Sequence, residues 1–431
     1  MNDRRKFNKY IVFWLTQSLS ELGSSMTSFA LVIWAYGQTG SALSVSLMTF
    51  CSYVPFVIVS LFAGSFLDRH KKKSVLLLSD TFAAVCTIAV CLLALWKKLE
   101  IWHIYLVNIL IGFMNAFQSP ALSVSLGILV PEEYRSRASG MSSFSSNLIT
   151  VVTPMLAAAL FSFGGLKGIL LIDLLTFLLG AGILFFFISI PEASLKEQIG
   201  EKQGPFTGFL RGWRFLKAHK GILYIILSMS MLNFFSRLTY ENILSPMILA
   251  RSQSSSVLGI VTGILGAGGI LGGILVSLLK LPKDNQKVMY LSAALSFLFG
   301  DITMGLGQNF YIWSLGALFA SVPIPFILAA QNVMIYHWIP AEIQGQIFAV
   351  RNAIQFGTIP VGILLGGFLA DYVFEPFMES HVPLALFLTG VTGDAPGKGM
   401  AVMFLCTGIL GFSSSIFWMR NRHIREISRT D

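Results

Sequence analysis

Ionisable side chains interrupt long apolar runs, among them Glu21, Asp80, Asp173, Arg237, Glu241, Asp301 and Arg351. In hydrocarbon a lone charge is expensive, so such a group pairs, takes up a proton or meets a charged ligand. Glu21 stands alone near the middle of its run, which makes it the first candidate for a carboxylate that exchanges protons or recognises a cation. Arg237 and Glu241 lie four apart and share a helical face. The arginine can hold the glutamate ionised, or release it when a proton or ligand rearranges the pair; a static ion pair is the plainer alternative. Asp301 joins these three as a candidate for proton coupling or a substrate cavity. With Asp173 it falls towards the outer end of its run, as a gate group or a solvated one. Asp80 and Arg351 fall near inner ends, where Asp80 can pair with a basic loop and Arg351 with an opposed acid.

The chemistry that is missing narrows the function. There is no nucleophile elbow, no paired-histidine metal motif and no metal-ligand spacing among Cys51, Cys86, Cys91 and Cys406, which all lie in apolar runs as inert thiols. Gly393-Asp394-Ala395-Pro396-Gly397-Lys398 invites comparison with a phosphate loop, but its spacing is one residue short and Gly399 replaces the required Ser or Thr. The chain therefore reads as a non-enzyme without cofactor or resident metal, and not as a direct user of ATP. An intramembrane acyltransferase or protease would need a constellation that these runs lack. A non-transporting membrane sensor remains a different-class alternative.

The elements that must position these charges are membrane spans. Hydrophobic residues make up 55% of the chain and charged residues 12%, against roughly 25% charged in soluble domains. A soluble fold, disorder, collagen and coiled coil are excluded together. Apolar runs and break signals predict twelve spans, at 10–36, 43–67, 74–96, 101–129, 138–163, 167–190, 221–249, 256–279, 287–307, 310–338, 345–373 and 400–419. The first is too long for a cleaved leader and carries Glu21. Six of the seven alternate segments, beginning with the N-terminus, hold Lys and Arg (339–344 is the exception), whereas the others hold only Lys97, Lys98, Lys167, Arg251 and Lys398. This asymmetry places both termini in the cytoplasm of a multi-pass cell-membrane protein and accounts for the net charge of +9 without nucleic acid. Trp34, Trp96, Trp102, Trp313, Trp338 and Trp418 fall near span ends, as an interfacial belt requires.

The segment 191–220 separates a bundle over 1–190 from another over 221–431. Phe206, Phe209, Leu210, Trp213 and Leu216 share one face of its second part, opposite Arg211, Arg214 and Lys217, as in a helix lying on the inner membrane surface. The two halves share loops in matched order: Gln38-Thr39-Gly40-Ser41-Ala42-Leu43 with Gln253-Ser254-Ser255-Ser256-Val257-Leu258, and Val130-Pro131-Glu132-Glu133-Tyr134-Arg135 with Ile339-Pro340-Ala341-Glu342-Ile343-Gln344. Six-plus-six duplication is a plan of secondary transporters, with the site between the repeats. Seven glycines between Gly259 and Gly273, several spaced four apart, predict close helix packing in the eighth span.

The loop after the second span reads Gly64-Ser65-Phe66-Leu67-Asp68-Arg69-His70-Lys71-Lys72-Lys73. Gly64, Asp68, Arg69, Lys72 and Lys73 match the signature of the major facilitator superfamily, with Lys71 in place of its second glycine. Gly23-Ser24-Ser25, Ser119-Pro120-Ala121-Leu122, Ile172-Asp173 and Gly366-Gly367-Phe368-Leu369-Ala370-Asp371 extend the resemblance to the macrolide-efflux and enterobactin-exporter branch of drug-type facilitators. The Gly-Pro signature that the fifth span of antiporters often carries is absent; Thr153-Pro154-Met155 stands there. The resemblance implies an all-α membrane fold of two six-helix bundles, a central cavity lined by the spans that carry Glu21, Arg237 and Glu241, and a cytoplasmic latch with Asp68 as acceptor. Together these observations predict a monomeric secondary transporter that exports amphipathic small molecules, drug or macrolide-like, in exchange for protons. A siderophore, a peptide antibiotic or a lysolipid is the alternative cargo.

Overall fold

The computed structural model describes residues 3–67, 70–188, 205–279, 282, 284–339 and 344–428, and these are helical almost throughout, without a β-strand. Contacts divide the chain into two units. Unit 1 comprises Met1–Thr39 and Leu47–Gly200; unit 2 comprises Gly40–Ser46 and Glu201–Asp431. Ten stretches of the described residues are long and apolar enough to cross a membrane. One of them counts double. Helix α5 (Arg135–Phe187) has 53 residues, about 80 Å at the usual rise, against a hydrocarbon core of roughly 30 Å. Gly165, at φ 59°, breaks it into two arms. The first helix, α1 (Asp3–Thr39), falls outside those ten but with 37 residues has ample length to span.

Unit 1 is completed by α2 (Ala42–Leu67) from Leu47 onward, α3 (Lys72–Leu95) and α4 (Ile101–Leu129). Met26, Leu31, Ile104 and Leu170 anchor one of its cores. Gly23 has no room for a Cβ against Thr176 and Asp173, so α1 and the second arm of α5 meet almost backbone to backbone. Lys73 donates to the Phe185 carbonyl at 2.9 Å, filling an acceptor that the last turn of α5 leaves open. Of the loop motif, Asp68 and Arg69 lie outside the described residues.

Unit 2 contains α6 (Pro205–Ala218), α7 (Lys220–Thr239), α8 (Leu244–Ser252), α9 (Ser255–Leu278), α10 (Asn285–Leu295), α11 (Ile302–Leu306), α12 (Phe310–Ser321), α13 (Ile324–Trp338), α14 (Gln344–Leu369), α15 (Glu375–Glu379), α16 (Pro383–Thr392), α17 (Lys398–Met419) and α18 (Arg422–Ser428). Its core gathers Ile225, Met229, Met289, Tyr290, Met334 and Val350. Side-chain caps start three helices: Ser254 accepts from Val257 N–H, Asp284 from Lys287 N–H and Asn309 from Ile312 N–H.

Four predicted spans are interrupted, that at 345–373 by a π-helical stretch, Ala370–Phe374, after α14. The span at 221–249 breaks between α7 and α8, because Pro246 supplies no N–H to the Asn242 carbonyl and its ring crowds that turn. The span at 287–307 widens into a π-helical stretch, Ser296–Asp301, between α10 and α11. The span at 310–338 turns at Val322-Pro323, between α12 and α13. The glycines of α9 do pack: a Cβ on Gly272 would fall 3.1 Å from Pro325 Cδ, and Gly268 abuts Ser321. Trp313 departs from the expected interfacial belt. It is 2% exposed and donates Nε1–H to the Gly307 carbonyl at 3.0 Å. Of the predicted surface helix, α6 forms, but Leu216 is buried in the unit 2 core with Trp213 against it, while Leu210 is exposed. Residues 191–204 and the side chains of Phe206 and Phe209 lie outside the described residues, as do Pro340, Ala341, Glu342 and Ile343 of the second matched loop.

Candidate functional site

Unit 1 encloses a cavity of about 510 Å³ between α1, α3, α4 and the second arm of α5. The positions on α1 are set by helical spacing: Gln17, Glu21, Ser24 and Ser28 recur at three and four residues and line it together. From α3 come Asp80 and Thr87, from α4 Asn108, Asn115 and Gln118, and from α5 Asp173. Apolar walls include Phe56, Val107, Ile111, Leu170 and Phe177. Three carboxylates therefore face one space, and none of the lining residues is Lys, Arg or His.

Each carboxylate is held differently. Asp173 is 4% exposed and accepts from Ser24 Oγ at 3.0 Å, Thr27 Oγ1 at 2.9 Å and Thr87 Oγ1 at 3.2 Å. Asp80 is also buried and accepts from the Gln118 side-chain amide. Glu21 is exposed into the cavity from α1. This arrangement corrects one expectation. Asp173 is not a solvated outer group, because hydroxyls from α1 and α3 converge on it.

In unit 2, Arg237 and Glu241 form the expected i, i+4 ion pair, each side chain about one-third exposed. Asp301 does not join them. At 1% exposure it sits in the π-helical stretch, accepts from Thr407 Oγ1 at 2.8 Å and lies beside the buried Tyr240 hydroxyl. It is neither solvated nor at a mouth. Arg351 donates to Asn352 Oδ1 at 3.2 Å. The segment 393–398 is occupied by its own ion pair, Lys398 Nζ to Asp394 Oδ1 at 2.7 Å, whose hydrogen bond and charge hold the Asp394 carboxyl below its ordinary range. Among the described residues no group of three or more His, Cys, Asp or Glu is placed to hold a metal ion.

Each unit buries an Asp–Thr pair between matching spans, with the partners exchanged. In unit 1 the third span carries Thr87 and the sixth carries Asp173; in unit 2 the ninth carries Asp301 and the twelfth carries Thr407. Only Ser24 and Thr27, three apart on α1 and therefore on one face, signalled a hydroxyl cradle in the sequence.

Residues 13–300 match the family model described as Major Facilitator Superfamily. The chain is similar to macrolide efflux protein A of Streptococcus pyogenes, at 27% identity over 372 residues, covering 85% of this chain and 90% of that protein. It is also similar to the enterobactin exporter of Shigella boydii, at 25% identity over 386 residues, covering 88% and 83%. Among solved structures, a bacterial homologue of the iron transporter ferroportin, in an inward-facing state, superposes with a TM-score of 0.67 at 15% identity, over 96% of this chain and 99% of that one.

Proposed function

The chain belongs to the major facilitator superfamily, and on that premise we propose that this membrane transporter exports amphipathic small molecules bearing a positive charge, in exchange for protons. The cavity of unit 1 carries the reading. Its volume lies within the usual small-molecule range of roughly 300–1,000 Å³. Among the described residues no Lys, Arg or His lines the cavity beside its three carboxylates, so in a membrane their charge must be met by a proton or by a cation. A ligand ammonium and a proton that compete for the same carboxylate exchange with one another, and such competition is the minimum an antiporter needs. Relatives named for efflux support the outward direction. The acidic lining favours a cationic, macrolide-like cargo over an anionic siderophore.

Glu21 is the coupling group in this mechanism, since it alone of the three lacks a cradle of donors. Protonated from outside, it releases a bound cation; deprotonated towards the inside, it recruits the next. The test is pH-driven transport and counterflow in proteoliposomes, with cationic and neutral amphipathic compounds of matched size. The parent protein should move the cations uphill when the pH gradient is imposed. Glu21→Gln, a mimic of the protonated state, should lose uphill transport while keeping exchange down a gradient. If Glu21→Gln instead loses only the cationic compounds, the residue recognises charge without coupling. Uphill transport of every substrate at the parent rate would remove Glu21 from both roles.

A further inference from the structure

The Gly-x-x-x-Asp spacing of Gly64–Asp68 recurs at Gly367-Phe368-Leu369-Ala370-Asp371, where α14 ends, and at Gly390–Asp394. Gly367 and Asp371 both grip the start of α2. Asp371 Oδ2 accepts from Ser41 Oγ at 2.6 Å and from Leu43 N–H at 2.9 Å, and Oδ1 accepts from Ala42 N–H at 3.1 Å. These N–H groups open α2 and have no intrahelical acceptor, and a carboxylate there also meets the positive end of the helix dipole. A Cβ on Gly367 would fall 2.7 Å from Ser46 Cβ and 2.8 Å from Leu43 Cα, so the approach needs glycine. Asn242, at the break after α7, completes the grip: its Nδ2 donates to Ser46 Oγ at 2.6 Å and to the Ile363 carbonyl at 2.7 Å. Asn242 and Ser46 are both fully buried.

The grip has a mechanical consequence. Gly40–Ser46 packs as part of unit 2, yet α2 runs on without interruption into Leu47–Leu67, which belong to unit 1. One helix thus has its ends in two units. A contact of this kind either holds the start of α2 permanently or lets go during function. Its chemistry suits release: the hydrogen bonds are polar ones that water replaces, and Ser41 Oγ already accepts from Ser44 N–H at 3.1 Å, so α2 keeps a cap of its own when Asp371 withdraws.

We propose that Gly367 and Asp371, with Asn242, form a second latch, which holds the first turn of α2 to unit 2 while the outer side is closed and releases it when that side opens. At about 39 Å in length, α2 separates this latch from its own far end by a full membrane thickness. Asp371 is a positioning residue here. The inference rests on the transport proposed above, taken as access to the cavity from each side in turn, and its test needs no substrate. Val45 is 1% exposed within the gripped segment. With the four native cysteines replaced, Val45→Cys in proteoliposomes is reacted with a membrane-impermeant maleimide. The expected result is slow labelling in the parent and a rate at least about tenfold higher with Asp371→Asn, because charge-assisted hydrogen bonds are lost. Gly367→Ala should raise the rate as well, by forcing α2 away. Asp371→Glu should restore part of the protection. Unchanged labelling in monodisperse Asp371→Asn and Gly367→Ala protein overturns the latch. An increase in labelling supports it even if the parent exports none of the compounds offered; that second failure would count against the proposed cargo or coupling alone.

Discussion

At the scale of single residues, the exchanged pairs Thr87–Asp173 and Thr407–Asp301 are the clearest case of chemistry conserved by geometry while the residues trade places. A buried carboxyl that loses its hydroxyl partner forfeits a hydrogen bond and leaves a polar group unsatisfied, a cost of about 1–3 kcal/mol. Thr407→Val should therefore lower the stability of the purified protein by that amount in thermal unfolding. The double exchange Asp301→Thr with Thr407→Asp recreates the order found in unit 1. It should be more stable than either single exchange; additive losses would show that the pair is not an interacting unit. The sequence carried part of this. Glu21, Arg237 and Glu241 were legible as intramembrane charges, and the last two as neighbours on one face. Asp173 and Asp301 were visible as charges but not as buried ones, because their donors come from segments 146 and 106 residues away.

At the scale of elements, α9 shows how glycine position decides packing. Gly268 and Gly272 face α12, Val322 and Pro325, whereas a Cβ on Gly269 or Gly273 would meet nothing within 4 Å. Gly272→Ala should destabilise by about 1–3 kcal/mol through overpacking. Gly273→Ala should be neutral or stabilise by up to about 1 kcal/mol through helix propensity. Equal effects at the two positions, read from unfolding midpoints, would reject the packing account. Spacing of four was readable in the sequence; which of the adjacent glycines faces a neighbour was not, since both rows recur at the same interval. Helix interruptions followed the same rule. The break before α8 has a local cause in Pro246, while the π-helical widening before α11 has no residue signal and coincides with Gly300, where a Cβ would fall 2.6 Å from Ala320 Cα.

At the scale of the whole molecule, transport by this superfamily member requires that its cavity be reached from one side and then the other. We expect paired spin labels at the inner ends of the two units to separate when those at the outer ends approach, and the reverse, as pH and substrate change. One fixed set of distances under all conditions would falsify alternating access here. Asp68→Asn should slow this cycle more than it weakens substrate binding, since the resemblance makes Asp68 the acceptor of the inner latch. Full transport rates in folded Asp68→Asn protein would remove that role.

The sequence by itself determined that this chain is a polytopic membrane protein of the major facilitator superfamily, because hydropathy, the distribution of Lys and Arg and the Gly64–Asp68 string are all local properties of the chain. Only the tertiary structure decided which charges share a cavity and which are sealed in hydroxyl cradles, and that Asp371 caps α2 from across 328 residues of chain. The physical reason is that a side chain's burial and partners depend on what other segments bring to it. A carboxylate on an apolar helix is written the same way in the sequence whether its neighbours are lipid, a cavity or three converging hydroxyls.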